Sequence, residues 1–368
     1  MKKLAVAVFC LFICSLFLAQ PLFSAPAESL RLKKFSYIDR EGIGIEAFSL
    51  LMPATWKFSG GIRWNLNNPG MPAAAQFKVT SPSEKEEIEV FPTQSMFWTN
   101  NRMLLTTFPT GARYFGAEVH PVVEPAQALS KIILPRFRGN VSELKVISRK
   151  DLPGLDKSIK AGANQPDVKV FSRGAKMRIE YTRAGVPMEE EIFAVVSGYS
   201  FGVMTMQGPV TNTNWFVDYI FSYKAPKGQL DKNARVFQAI TLSFKLNPQW
   251  FNKYNQLVYN LIQAQIKQIH SIGELSRYIS RTSNEISDSM MKSYYDRQKV
   301  YDGISENFSN YIRGTDNYYN PMEGKQVELP SGYNHVWANP NGEYVFTDNP
   351  NDNPNIGSNL NWQELKAK

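Results

Sequence analysis

From position 248 to position 313 the chain has no proline after Pro248, and apolar residues return every three or four positions. Val258, Leu261, Ile262, Ile266, Ile269, Ile272, Leu275, Ile279, Ile286 and Met290 trace a narrow stripe on a polar rod. Such a stripe has to be covered. One continuous helix of about 65 residues would reach about 100 Å at ~1.5 Å per residue, and only a partner or a second copy could bury it. A break near Gly273 or at Thr282-Ser283-Asn284 would instead give a hairpin whose arms bury each other. Gln265, Ser293 and Asn307 interrupt the heptad seam set by Val258, Ile272, Ile279 and Ile286, which favours the broken form.

The first 27 residues read as a leader. Lys2 and Lys3 are the only charges before Glu28, an uncharged apolar run follows, and Ala25-Pro26-Ala27 offers a cleavage site, with a cut after Ser24 as the alternative. Both cysteines, Cys10 and Cys14, fall inside this segment. The rest of the chain therefore has no thiol chemistry, disulfide or Cys-ligated zinc, as suits an exported protein of an oxidising compartment. The net charge is +8, but the basic residues are scattered with no run of five. That argues for a solvated surface rather than a nucleic-acid patch. No integral membrane span is expected once the leader is removed.

Residues 28–247 carry strand and turn signals around a few helical stretches. Phe77-Lys78-Val79 and Ile88-Glu89-Val90-Phe91 alternate apolar with polar residues, and Gly60-Gly61, Asn67-Asn68-Pro69-Gly70 and Gly198 read as turns. Pro125 suits the first turn of a helix with Ala128, Leu129, Ile132, Ile133 and Phe137 on one side, and residues 230–246 read as a closing helix. The expected class is α+β, an antiparallel sheet sandwich with covering helices. The phrases MPATWKFSGGIRW, SPSEKEEIEVFP and ITLSFKLNP resemble exported proteins of the PsbP-like fold, with Thr55 where those proteins commonly carry glycine. The whole chain, with its GEYVFTDNPNDNPN and NWQEL phrases, resembles a family of exported bacterial proteins without assigned function. These resemblances imply a scaffold and name no chemistry.

The long helical segment (248–315) is followed by a tail (316–368). There Asn339-Pro340-Asn341-Gly342 joins two alternating runs into a β-hairpin that needs something to dock on. Tyr333, Trp337, Tyr344 and Trp362 are the candidate ligand-binding residues, as a stacking platform for sugar or peptide or as the docking surface of the tail.

Catalytic signatures are missing: no His-Glu-x-x-His, Walker A loop, Gly-x-Ser-x-Gly or Cys/His metal spacing occurs. His120, His270 and His335 are far apart in sequence. Glu189-Glu190-Glu191 reads as a solvated hairpin, and the Asp/Asn run 348–353 as a turn series rather than a calcium loop. Neither cofactor nor metal is expected. The leading expectation is a non-catalytic envelope scaffold or adaptor, meeting another envelope protein or a second copy of itself through Ile272, Leu275, Ile279, Ile286 and Met290. A ligand-binding module using the sandwich cleft or the tail aromatics is the alternative, and an unrecognised hydrolase the third.

Overall fold

A computed structural model describes residues 29–66, 68–152, 168–205, 208–269 and 315–366. Strand makes up 52% of it and helix 16%, which overturns the expected α+β sandwich with a long helical segment. The strands before the first helix are β1 (Leu30–Ile38), β2 (Glu46–Pro53), β3 (Lys57–Trp64), β4 (Ala73–Thr80), β5 (Glu87–Val90) and β6 (Gln94–Thr99). Helix α1 (Arg102–Thr107) and the short pair β7 (Arg113–Tyr114) and β8 (Ala117–Val119) follow. Next comes one continuous helical run, made of α2 (Pro125–Ala128), a π turn (Leu129–Ile133) and α3 (Leu134–Arg138). Pro135 has no N–H to give inside that run, and the wider π turn lies just before it.

Strands β9 (Ser142–Leu152), β10 (Val168–Arg183), β11 (Val186–Thr205) and β12 (Gly208–Pro226) lie side by side in a ten-stranded sheet, with β9 at its edge. Its main path runs β3-β4-β5-β12-β11-β10-β9, with β6 also paired to β12 and β8 to β6. At 16, 20 and 19 residues, β10, β11 and β12 replace the shorter pieces that their glycines suggested. Gly198 is not at a turn. A Cβ there would lie 2.5 Å from the Asn214 carbonyl oxygen and 2.8 Å from the Phe171 ring, so glycine permits close contact within the strand. Gly61 likewise lies inside β3, where a Cβ would meet the Tyr37 ring at 2.1 Å.

After α4 (Ala234–Leu242), β13 (Lys245–Leu246) and α5 (Pro248–Ile269), the tail supplies β14 (Thr315–Asn320), β15 (Lys325–Pro330), β16 (His335–Ala338), β17 (Glu343–Thr347) and β18 (Gln363–Glu364). The second sheet runs β13-β2-β1-β17-β16-β18, so the tail hairpin is paired directly onto β1, with Leu32 opposite Tyr344. Aromatic rings join the two sheets: Phe35 stacks on Phe58 at 4.2 Å and Phe48 on Phe77 at 5.1 Å.

Helix α5, at 22 residues, is the longest described helix. Trp250, Tyr254, Val258 and Ile262 are at most 5% exposed and belong to the main core, so this stripe is covered by the body of the protein and not by a coiled-coil partner. The buried Asp39 carboxylate ties the start of α5 down, accepting from the indole N–H groups of Trp250 at 2.8 Å and Trp64 at 3.0 Å. Residues 270–314, with the remainder of the predicted stripe, lie outside the described residues. No described helix is long and apolar enough to cross a membrane.

Candidate functional site: an arginine-lined cleft

The candidate site arises from how β5 and β6 share one neighbour. Strand β5 pairs with β12 at Phe221–Lys224, and β6 pairs with the same strand further back, at Asn212–Val217. Strand β4 is longer than β5: only Phe77–Thr80 pair with it, while Ala73–Gln76 pair with β3 alone. A notch therefore opens between the start of β4 and the start of β6. It forms a cleft of about 270 Å³.

Besides β4, five separate elements line it. Arg63 comes from β3, where it stands opposite Ala74; Gln94 and Ser95 come from β6; Arg113 and Glu118 come from β7 and β8; Arg136 comes from α3. The loop carrying Asn65, Asn68 and Met71 is closed by its own backbone, with the Met71 N–H donating to the Asn68 carbonyl at 3.0 Å and Asn65 N–H to Pro72 at 2.7 Å. Arg136 is held from two sides, donating to Glu118 at 2.6 Å and to the Gln94 amide oxygen at 2.7 Å. Arg113 donates to the Gly116 carbonyl at 2.7 Å. Arg63 is exposed, and among the described residues nothing pairs with it. Three guanidinium groups against one carboxylate make the lining positive, and their planar forks match carboxylate and phosphate oxygens in pairs.

A second polar cluster is built for a different purpose. Glu190 is fully buried and Glu189 is 7% exposed, so the acidic run is not a solvated hairpin. Strand β11 is flanked by β10 and β12, and from Met188 to Glu190 its side chains are buried on both faces. Arg138 donates to Glu190 at 2.5 and 2.7 Å and to Glu89 at 2.6 Å, while Lys224 donates to Glu87 at 2.6 Å. Burial alone would raise the Glu190 carboxyl, but the Arg138 guanidinium outweighs it and holds the group below its usual range. Glu87 is also lowered: burial opposes ionisation, and Lys224 and Lys78 overcome it. Burial and then the Glu190 charge push the Tyr181 phenol well upward. Each ion here has its counter-ion.

The four tail aromatics do not converge. Residues paired directly across a sheet share a face, and neighbours along a strand alternate. Trp337 stands opposite Val345, so Tyr344 points to the other side. Tyr344 is buried, donates to Glu323 at 3.2 Å and accepts from Asn320 at 3.0 Å; burial and then Glu323 push its phenol up to about 12. Tyr333 packs on Phe346 at 5.3 Å. Trp362 is 5% exposed and lies under the Arg31 guanidinium at 5.6 Å. Ile272, Leu275, Ile279, Ile286 and Met290, with His270, lie outside the described residues. The His120 ring nitrogen contacts the Pro121 carbonyl, and His335 pairs with Glu364, each at 2.6–2.7 Å. Among the described residues no three His, Cys, Asp or Glu side chains gather as metal ligands. The run 348–353 uses its own oxygens: Asp352 accepts from Thr347 at 2.7 Å and from Asn349 at 3.0 Å.

Arg63, Arg113 and Arg136 were not singled out from sequence. They are scattered single cations on three elements, and only strand register brings them together. Neither the models of known families nor the curated proteins compared with this chain match it.

Proposed function

We propose that the protein is a non-catalytic binding module for a small anionic ligand, a carboxylate or phosphate ester, held in the arginine cleft. One observation carries the reading: three arginines from three elements surround a cleft of about 270 Å³ with a single acidic residue, and one of them, Arg63, has no described partner. Arg136 and Arg113 are already oriented by protein acceptors, so binding costs them little side-chain freedom. The Gln76 amide in the lining beside the cations suits a ligand with hydroxyl or amide groups beside its charge. The leader-like first 27 residues, and the confinement of both cysteines to them, support an exported protein. The adaptor reading is less favoured, because Val258 and Ile262 of the helical stripe are spent in the core.

The test is thermal unfolding of the full chain in rising citrate or inorganic phosphate, with potassium chloride as the ionic-strength control. Ligand at a hundredfold over its Kd stabilises by about 2.7 kcal/mol, and that gain should shrink sharply in Arg63→Ala, whose side chain supports nothing else. An unchanged gain in Arg63→Ala, or a response equal to that of chloride, would overturn the reading.

A further inference from the structure

We propose that the face of β12 bearing Asn212 and Asn214 is a second, internal site, for an uncharged polyhydroxyl ligand of the carbohydrate class. The two asparagines are 1% and 0% exposed, and neither the amide nitrogen nor the carbonyl oxygen of either has a hydrogen-bond partner. Asn255, on the buried side of α5 and 1% exposed, is in the same condition. Native interiors satisfy nearly all such atoms with protein, ordered water or ligand. Two neighbouring carboxamides left open on one strand face therefore mark a place where something else bonds.

Register defines what surrounds them. Thr99, Asn212, Phe201 and Val168 stand opposite one another across β6, β12, β11 and β10, and Phe97, Asn214, Tyr199 and Val170 form the next row. Neither row contains a charged side chain. The nearest carboxylate along this face of β12, Asp218, is engaged by the Thr93 hydroxyl at 2.7 Å and the Tyr219 N–H at 3.0 Å. An ionic ligand would find no counter-charge here. Each carboxamide gives an acceptor and two donors, matching hydroxyls that both donate and accept. The rings of Phe97, Phe201 and Tyr199 offer apolar faces to the C–H side of a sugar. Beyond Phe201 the next row, Val203 opposite Val210, is only half-buried, so the strand ends give the way in.

The experiment uses the full chain with maltose, cellobiose and chitobiose, read by saturation-transfer NMR and thermal shift, on wild type, Asn214→Leu and Asn212→Ala. At least one disaccharide should receive saturation and raise Tm in the wild type. Loss of the bonds from one amide should weaken that binding by about tenfold or more. Without sugar, Asn214→Leu should hold or raise Tm, because it removes an unbonded polar group. Phosphate, the probe for the arginine cleft, should not compete with the sugar. No sugar response in the wild type would overturn the proposal, whatever the variants do. So would equal binding in both variants, or a sugar-free Tm lowered by several degrees in both, which would mean that the amides hold structural water. Should Asn214→Leu fail to fold, Asn212→Ala decides.

Discussion

Strands β11 and β12 bury both of their faces over most of their length, and the two faces treat buried polar atoms in opposite ways. Under α2 and α3 lie full charges, and each is matched: Arg138 with Glu190 and Glu89, Lys224 with Glu87, and Lys78 reaching Glu89 and Glu87 at 3.2 and 3.3 Å. On the reverse face lie neutral amides, Asn212 and Asn214, matched by nothing. The difference follows from the cost of neglect. An unpaired ion in a protein interior costs several kcal/mol, whereas an unbonded amide costs about 1–3 kcal/mol. A fold can leave the second kind open for a ligand; it cannot leave the first. The charged face therefore holds the structure together, and the amide face is the one with polar atoms left to spare.

The strongest way to break this contrast is Arg138→Ala, which leaves Glu190 fully buried beside Glu89 with no guanidinium. A loss of about 3–5 kcal/mol in urea unfolding is expected, largely recovered when Glu190→Leu is added. A loss below about 1 kcal/mol would mean that water reaches these ions. Next in size is the acid limb of the wild type. Glu87 and Glu190 have carboxyls below their usual 4.5, so as pH falls the unfolded chain takes up protons first. Their contribution is complete above about pH 4.5 and drains away below it; urea midpoints measured from pH 6 downward should show this, and Asn214→Leu should share the same limb. An acid limb unchanged by Arg138→Ala would place the responsible carboxylates elsewhere. The smallest effect is expected for the surface pair of Arg173 and Glu124, 62% and 60% exposed. Arg173→Ala should change stability by no more than about 0.5 kcal/mol. A larger loss would show that the pair anchors the start of α2.

What the sequence made legible was local. Pro125 opens α2 because its missing N–H is harmless in a first turn, and the alternation of Phe77 and Val79 declares the buried side of β4. The spacing of Val258 and Ile262 declares a helical stripe on α5 without saying what buries it, and Trp250 and Tyr254 join it only in the structure. Long-range pairing was not legible. Gly61 and Gly198 look like turn residues until Tyr37 and Asn214 are set against them. Glu190 looks solvated until Arg138, fifty-two positions away, arrives beside it. The alternation of β12 also changes phase where β11 pairs irregularly between Phe193 and Val195 and Tyr219 takes a positive φ of 49°. Trp215 and Lys224 thus share a face although one is odd and the other even, and no fixed period could reveal that. The arginine cleft depended on all of these pairings, which is why no motif announced it.

The pairing of β1 with β17 sets an order of events in time. Leu30 meets Phe346 and Lys33 meets Glu343, so one strand waits for another made about three hundred residues later. Until then β1 is held by β2 alone and shows an open edge. Contacts so far apart along the chain form slowly, and an unfinished or clipped chain would offer that edge to another copy of itself. Beyond any part in binding, the tail hairpin serves as the guard of that edge.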